Sequence, residues 1–261
     1  MISFPNAKIN IGLQVLGKRK DGYHSISSLV YPIPLKDVLE IIPSVEYSFH
    51  QYGKIRVNPK DNLIEKAFQI VKKEFGIPNI EIHLIKNIPL GSGLGGGSSN
   101  AVFTLKMLNT LFELNISPEK LRSMALKLGS DCPFFIENTP QIIEGRGEIC
   151  SHSPSYLEGK WLLLALPDIQ IATETAYSNI QFSKEKEKLK WDDSIENWKT
   201  TVVNDFQEFQ FQNHPFLFQI YEEIDLLSEY TSLTGTGSSI YGIFNQKIPV
   251  NLHCESIWLR L

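Results

Sequence analysis

From Ile9 to Val15 the chain alternates strictly, with Ile9, Ile11, Leu13 and Val15 apolar and Gly12 and Gln14 falling between them. That period of two is the pattern of a half-buried β-strand, and it gathers Lys8 and Asn10 on one face. "DGYH", Asp21 to His24, follows a basic run and predicts a turn into a second apolar strand near Ser28 to Ile33, antiparallel to the first. Asp61 is placed to cap a helix through Phe75, with Leu63, Ile64, Ala67, Ile70 and Val71 on one face and Gly76 at its end. Ile80, Ile82 and Leu84 alternate as another strand. Beyond it, "NIPLGSGLGGGSSNA" (Asn87 to Ala101) puts five glycines into the seven residues Gly91 to Gly97, too many for regular structure to be expected. Ser98 or Ser99 should then open a helix on Ala101, Leu105, Leu108 and Leu111.

"SPEKLRSMALKLGSDCPFF" supplies Ser117 as a cap, Pro118 at the first helical position and Gly129 as a stop, which leaves Asp131 just past a helix end. "GRGEICSHSPS" reads as loop ahead of a continuous apolar strand, Trp161 to Leu166, so a domain boundary is expected near residue 150, dividing 1–150 from 151–261. The charge-dense stretch 183–198 predicts a solvated helix and loop. "TGTGSS", Thr234 to Ser239, is a second small-residue loop, before the apolar strand Ile240 to Phe244.

Composition narrows the function classes. With 261 residues and 42% hydrophobic content the chain can bury a substantial core. Its net charge of -4 argues against a broad basic field for nucleic acid. No apolar run approaches the ~20 residues that span a bilayer, and the N-terminus lacks an export pattern, so a soluble, cytoplasmic protein is expected. Cys132, Cys150 and Cys254 are odd in number and widely spaced, as ordinary thiols of a reducing compartment would be.

Gly91, Gly93 and Gly96 satisfy G-x-G-x-x-G between a strand and a helix, yet no second strand ending in an acid follows at Rossmann distance. A Walker A loop fails because Gly97 stands where its lysine belongs. The physics common to both survives: small residues expose backbone N–H groups, and a helix N-terminus adds partial positive charge, so the segment is an anion cradle. Ser98 and Ser99 add hydroxyls able to bond phosphate or face a magnesium ion.

"FPNAKINIGLQVLGKRKDGYH", "NIPLGSGLGGGSSNA" and "TGTGSSIYGIF", in that order, resemble the three motifs of the GHMP kinases. Within that superfamily "GKRKDGYH", "LGSDCPFF" and "EGRGEI" are similar to the branch acting on 4-diphosphocytidyl-2-C-methyl-D-erythritol, a cytidine diphosphate conjugate of methylerythritol. The resemblance runs from about Phe4 to Phe244 and implies a two-domain α+β fold with ATP and substrate in the cleft between domains. It implies a small-molecule kinase using ATP and Mg2+, without nucleic-acid or membrane partners, as a monomer or weak homodimer. Lys8 and Asp131 are implied as catalytic, with Asn10, Tyr23, His24, Thr173 and Tyr177 on the substrate. Tyr23 and His24 would hold the cytosine, and Tyr177 would stack on its other face. The ATP side is implied at Asn62, Lys86, Pro89, Leu90, Gly91, Ser92, Gly93, Leu94, Gly95, Gly96, Gly97, Ser98 and Ser99, with Ser98 as the candidate Mg2+ contact. Asn100 and Ser130 stand where alanine is commoner, and Tyr177 where phenylalanine is familiar. Two rivals stay open: another GHMP kinase, and a nucleotide-binding homologue that does not turn over.

Overall fold

The structure is a computed structural model and describes residues 1–180, 189–191 and 195–261, the side chain of Glu196 excepted. The chain folds into two compact units. The first is Met1–Ala7, Leu35–Leu90 and Gly95–Thr139; the second is Lys8–Pro34, Gly91–Leu94 and Pro140–Leu261.

In the first unit the strands Ile2–Ser3, Val38–Ser44, Asn79–Ile85 and Ser48–Tyr52 lie side by side in that order. Val38–Ser44 runs antiparallel to Asn79–Ile85, and Ser48–Tyr52 joins it parallel. The alternation of Ile80, Ile82 and Leu84 is honoured in full, since all three are buried with Leu39 and Ile41. Helices Leu63–Phe75, Gly96–Leu111, Pro118–Leu128 and Phe134–Glu137 pack on one another beside the sheet. Ser117 caps the third of these, Pro118 opens it and Gly129 follows it, as the sequence predicts. The first departs from expectation at its start. Pro59–Asp61 forms a short 3-10 turn, so Asp61 is spent there and Asn62 caps the helix, its Oδ1 accepting from the Ile64 N–H at 3.1 Å. Phe68 joins Ile64, Ala67 and Val71 on the buried stripe, whereas Leu63 and Ile70 stay half-buried.

The second unit holds two sheets. Asn6–Lys18 and His24–Lys36, which contribute residues 8–18 and 24–34 to this unit, form one with Gln141–Gly145 and Ile149–His152, in that lateral order. Tyr230–Leu233, Ile240–Phe244, Trp161–Leu166 and Glu255–Arg260 form the other, antiparallel throughout. Helices Thr173–Asn179, Ile195–Thr201, Gln207–Asn213 and Pro215–Asp225 complete the unit, and the last covers the second sheet with Leu217, Ile220 and Ile224.

Two expectations change. The strand carrying Lys8 is buried on both faces: Lys8, Asn10 and Gln14 are all but inaccessible, where a half-buried strand was expected. Residue 150 lies within a β-hairpin, because "GRGEI" turns the chain from Gln141–Gly145 into Ile149–His152. The two long N-terminal strands join the sheet of that hairpin, so the second unit gathers Lys8–Pro34 where the sequence suggested one cut near 150. The stretch 183–198, expected as solvated helix and loop, lies largely outside the described residues; its described end includes the fully buried Trp198.

Candidate active site

The glycine segment is more ordered than its composition suggests. Its helix starts at Gly96, ahead of Ser98 and Ser99, and Gly95 precedes it with φ 69° and no side-chain cap. A serine cap would have satisfied the first amides; here no side chain does so. At Gly93 (φ 77°) a Cβ would lie 2.0 Å from the Thr234 carbonyl oxygen, so only glycine lets "TGTGSS" cross it. The Ser239 N–H donates to the Ser92 carbonyl at 3.1 Å and the Ile171 N–H to that of Gly91 at 3.2 Å. Pro89 and Leu90 are half-buried, and the buried Leu94 accepts from the Lys8 N–H at 3.0 Å.

Gly97 is different: it is exposed, and a Cβ there would meet nothing nearer than Leu63 Cδ1 at 3.9 Å. The fold has no need of glycine at that position. Ser99 Oγ is buried without a hydrogen-bond partner among the described residues. Ser98, half-buried, bonds the Cys132 thiol, whose burial pushes its pKa up to about 12. Uncapped amides, an unneeded glycine and an unpaired hydroxyl on one helix start fit the polyphosphate of ATP.

Lys8 Nζ lies 2.5 Å from Asn10 Oδ1 and 2.8 Å from the Gly93 carbonyl oxygen. The same carbonyl accepts from Thr234 Oγ1 at 3.3 Å. Asn10 Nδ2 donates to Ser28 Oγ at 2.8 Å, and Ser28 Oγ donates to the Gly12 carbonyl at 2.6 Å. Tyr241 OH donates to the Asn10 carbonyl at 2.8 Å. Lys8 is therefore aimed by strand, glycine loop and "TGTGSS" together. Sequence reasoning missed Ser28 and Tyr241, which read only as strand residues.

Tyr23 and His24 end the hairpin of the first two strands. The His24 ring stacks on Tyr177, with centroids 5.1 Å apart and planes at 25°. Tyr177 in turn meets the Phe206 ring edge-on at 4.8 Å. Burial, and secondarily Lys18, lower the pKa of His24. Thr173 and Tyr177 share the helix Thr173–Asn179, one turn apart. Tyr23 is 49% exposed and lies under the Arg146 guanidinium at 4.8 Å. Arg19 pairs with Asp21 at 3.1 Å and Glu148 at 3.3 Å.

Asp131 is exposed in the turn after helix Pro118–Leu128, where the Cys132 N–H donates to the Gly129 carbonyl at 3.2 Å. Two residues expected on the ATP side turn inward. Asn62 is the helix cap described above. Lys86 is buried and ion-pairs with the buried Asp37, and burial lowers its pKa despite that partner. Among the described residues no group of three or more His, Cys, Asp or Glu could hold a metal ion.

Residues 62–138 match the GHMP kinases N terminal domain. A 4-diphosphocytidyl-2-C-methyl-D-erythritol kinase of Bacteroides thetaiotaomicron is 46% identical over 255 residues, covering 94% of this chain and 92% of that protein. The chain belongs to the 4-diphosphocytidyl-2-C-methyl-D-erythritol kinase family. The family member of Cytophaga hutchinsonii is 42% identical over 260 residues, covering 97% of this chain and 95% of the relative. The fold of this kinase family recurs in a crystal structure of 4-(cytidine 5'-diphospho)-2C-methyl-D-erythritol kinase, with TM-score 0.78 and 27% identity over 93% of this chain and 90% of that one. Mevalonate kinase of Methanococcus jannaschii, at TM-score 0.67 and 13% identity over 94% and 90% of the two chains, shares the fold.

Proposed function

We propose that the chain transfers the ATP γ-phosphate to the 2-hydroxyl of 4-diphosphocytidyl-2-C-methyl-D-erythritol, with Mg2+ arriving on ATP. The observation that carries this reading is the buried Lys8, fixed by Asn10 and by the carbonyl of Gly93 within the glycine segment. A lysine desolvated and tied to an anion cradle is a group set for developing negative charge, not a solvated surface cation.

ATP, when bound, supplies the phosphoryl group for an in-line displacement. The amides of Gly96 and Gly97 and the hydroxyls of Ser98 and Ser99 would hold its phosphates, Ser98 being the candidate toward Mg2+. The attacked alcohol is tertiary and holds its proton far above neutral pH, so Asp131 takes that proton as the new bond forms. Lys8 favours the alkoxide as it develops, and Asn10 keeps Lys8 from turning away.

Cytosine selection is assigned to Tyr23, His24, Thr173 and Tyr177. The His24 and Tyr177 rings already stack on each other with centroids 5.1 Å apart, closer than two successive stacking contacts allow, so no base fits between them as they stand. The base therefore stacks on an outer face of the pair, with Tyr23 and Thr173 beside it. Action as a monomer or weak homodimer in the cytoplasm belongs to the same proposal; among the described residues no helix is long and apolar enough to cross a membrane.

A coupled assay of ADP release across candidate alcohols tests the reading. Turnover on the cytidyl conjugate above homoserine, galactose and mevalonate is expected. Turnover on one of those three alone would reassign the chain within the superfamily, and none on any would favour a non-catalytic nucleotide binder.

A further inference from the structure

Asp37, between the strands His24–Lys36 and Val38–Ser44, is fully buried and carries no role in the reaction described above. Its carboxylate accepts four hydrogen bonds. Oδ1 takes the Asn87 N–H at 2.7 Å and the Ile88 N–H at 2.9 Å. Oδ2 takes Asn100 Nδ2 at 2.8 Å and the Lys86 ammonium. One side chain thus joins the exit of the strand Asn79–Ile85, where the glycine segment begins, to the second turn of the helix that the segment opens.

The contact continues to the cradle itself. A Cβ on Gly96 would lie 2.8 Å from Lys86 Nζ and 2.8 Å from Ile88 Cγ2, so the first helical residue sits directly on the ion pair with no space between. Helix starts are ordinarily fixed by a side-chain cap, and this one has none. A cap would also occupy the amides that a phosphate needs. Moreover Lys86 places a cation beneath the positive end of a helix, which is unfavourable for folding unless a carboxylate answers it. Buried ion pairs contribute little net stability compared with apolar replacements, so stability alone is a poor account of this one.

We infer that Asp37 is a positioning residue for nucleotide binding: acting through Lys86 and Asn100, it fixes the uncapped start of helix Gly96–Leu111 from behind and leaves its amides open for phosphate. The inference rests on the proposed ATP site. It also changes the part given to Lys86, whose ammonium serves Asp37 and supports Gly96 from within the fold.

The test is calorimetric binding of ADP to the full chain, paired with steady-state kinetics, for wild type, Asp37→Asn and Asn100→Ala. Asp37→Asn should weaken ADP binding and raise the KM for ATP by about tenfold or more, and Asn100→Ala by a few-fold. The KM for the alcohol should stay within twofold in both. A purely structural contact would lower the melting temperature and leave this split absent. ADP affinity and ATP KM within twofold of wild type in folded variants would overturn the inference while leaving the kinase reading intact. If Asp37→Asn does not fold, Asn100→Ala decides by the same criterion. A wild type that binds no ADP would overturn the nucleotide site and this inference with it.

Discussion

At the scale of the residue, the groups proposed to do chemistry are distinct from the groups that aim them. Asp131→Asn replaces the proposed base at almost constant volume, so kcat should fall ~100- to 10,000-fold while calorimetric affinities for both substrates hold. Turnover near wild type would leave positioning by Lys8 to carry the reaction. His24 has a pKa held below the ordinary 6.5, by burial first and by Lys18 second, and is neutral at neutral pH. The neutral ring's contribution to stability is complete above 6.5 and is lost as pH falls through the lowered value. The KM for the cytidyl alcohol should rise across that same fall, with the KM for ATP flat, and a KM profile parallel for both substrates would contradict the assignment. Tyr177→Ala should cost ~1 to 3 kcal/mol in alcohol binding if a base stacks on the pair. Lys8 and Asn10 were legible as a pair from the alternation of one strand. Their burial was not, because period two reports which residues share a face and says nothing of whether a second layer covers it.

At the scale of the element, the glycine segment distinguishes fold from function position by position. Gly96 has Lys86 and Ile88 pressed against it, so Gly96→Val should destabilise the protein and weaken ATP binding together. Gly97 faces open space, so Gly97→Ala should leave the melting temperature unchanged or raise it, Ala being favoured over Gly by up to about 1 kcal/mol within a helix. ATP affinity should nonetheless fall, because the added methyl would stand where the proposed site receives phosphate oxygens. Thermal melts beside ADP calorimetry check both, and a Gly97→Ala variant with wild-type ADP affinity would remove that residue from the cradle. Strand and helix positions around the segment were readable from period and caps: Ser117, Pro118 and Gly129 bound their helix as read. The start of helix Gly96–Leu111 was not. Glycine's low propensity pointed to Ser98 or Ser99, whereas the helix starts at Gly96 with Lys86 and Ile88 packed against it.

At the scale of the whole molecule, the GHMP fold and the three motifs were visible in the sequence, whereas the division into units was not. Strands 6–18 and 24–36 belong with a hairpin more than a hundred residues later, and no local pattern announces such a pairing. The glycine segment is itself divided, Gly91–Leu94 falling in one unit and Gly95 onward in the other. The central claim is that this chain is a kinase selecting its alcohol by the cytosine that the alcohol carries. On that claim, binding energy from the distant base positions the reacting hydroxyl, so its removal should cost turnover as well as affinity. The most direct measurement is kcat/KM on the cytidyl conjugate, its uridyl analogue and unconjugated methylerythritol 4-phosphate, under one set of conditions. At least a hundredfold preference for the cytidyl conjugate over the unconjugated alcohol is expected, with a clear preference for cytosine over uracil, as for a site that reads a hydrogen-bonding edge. Equal efficiency on all three would contradict it.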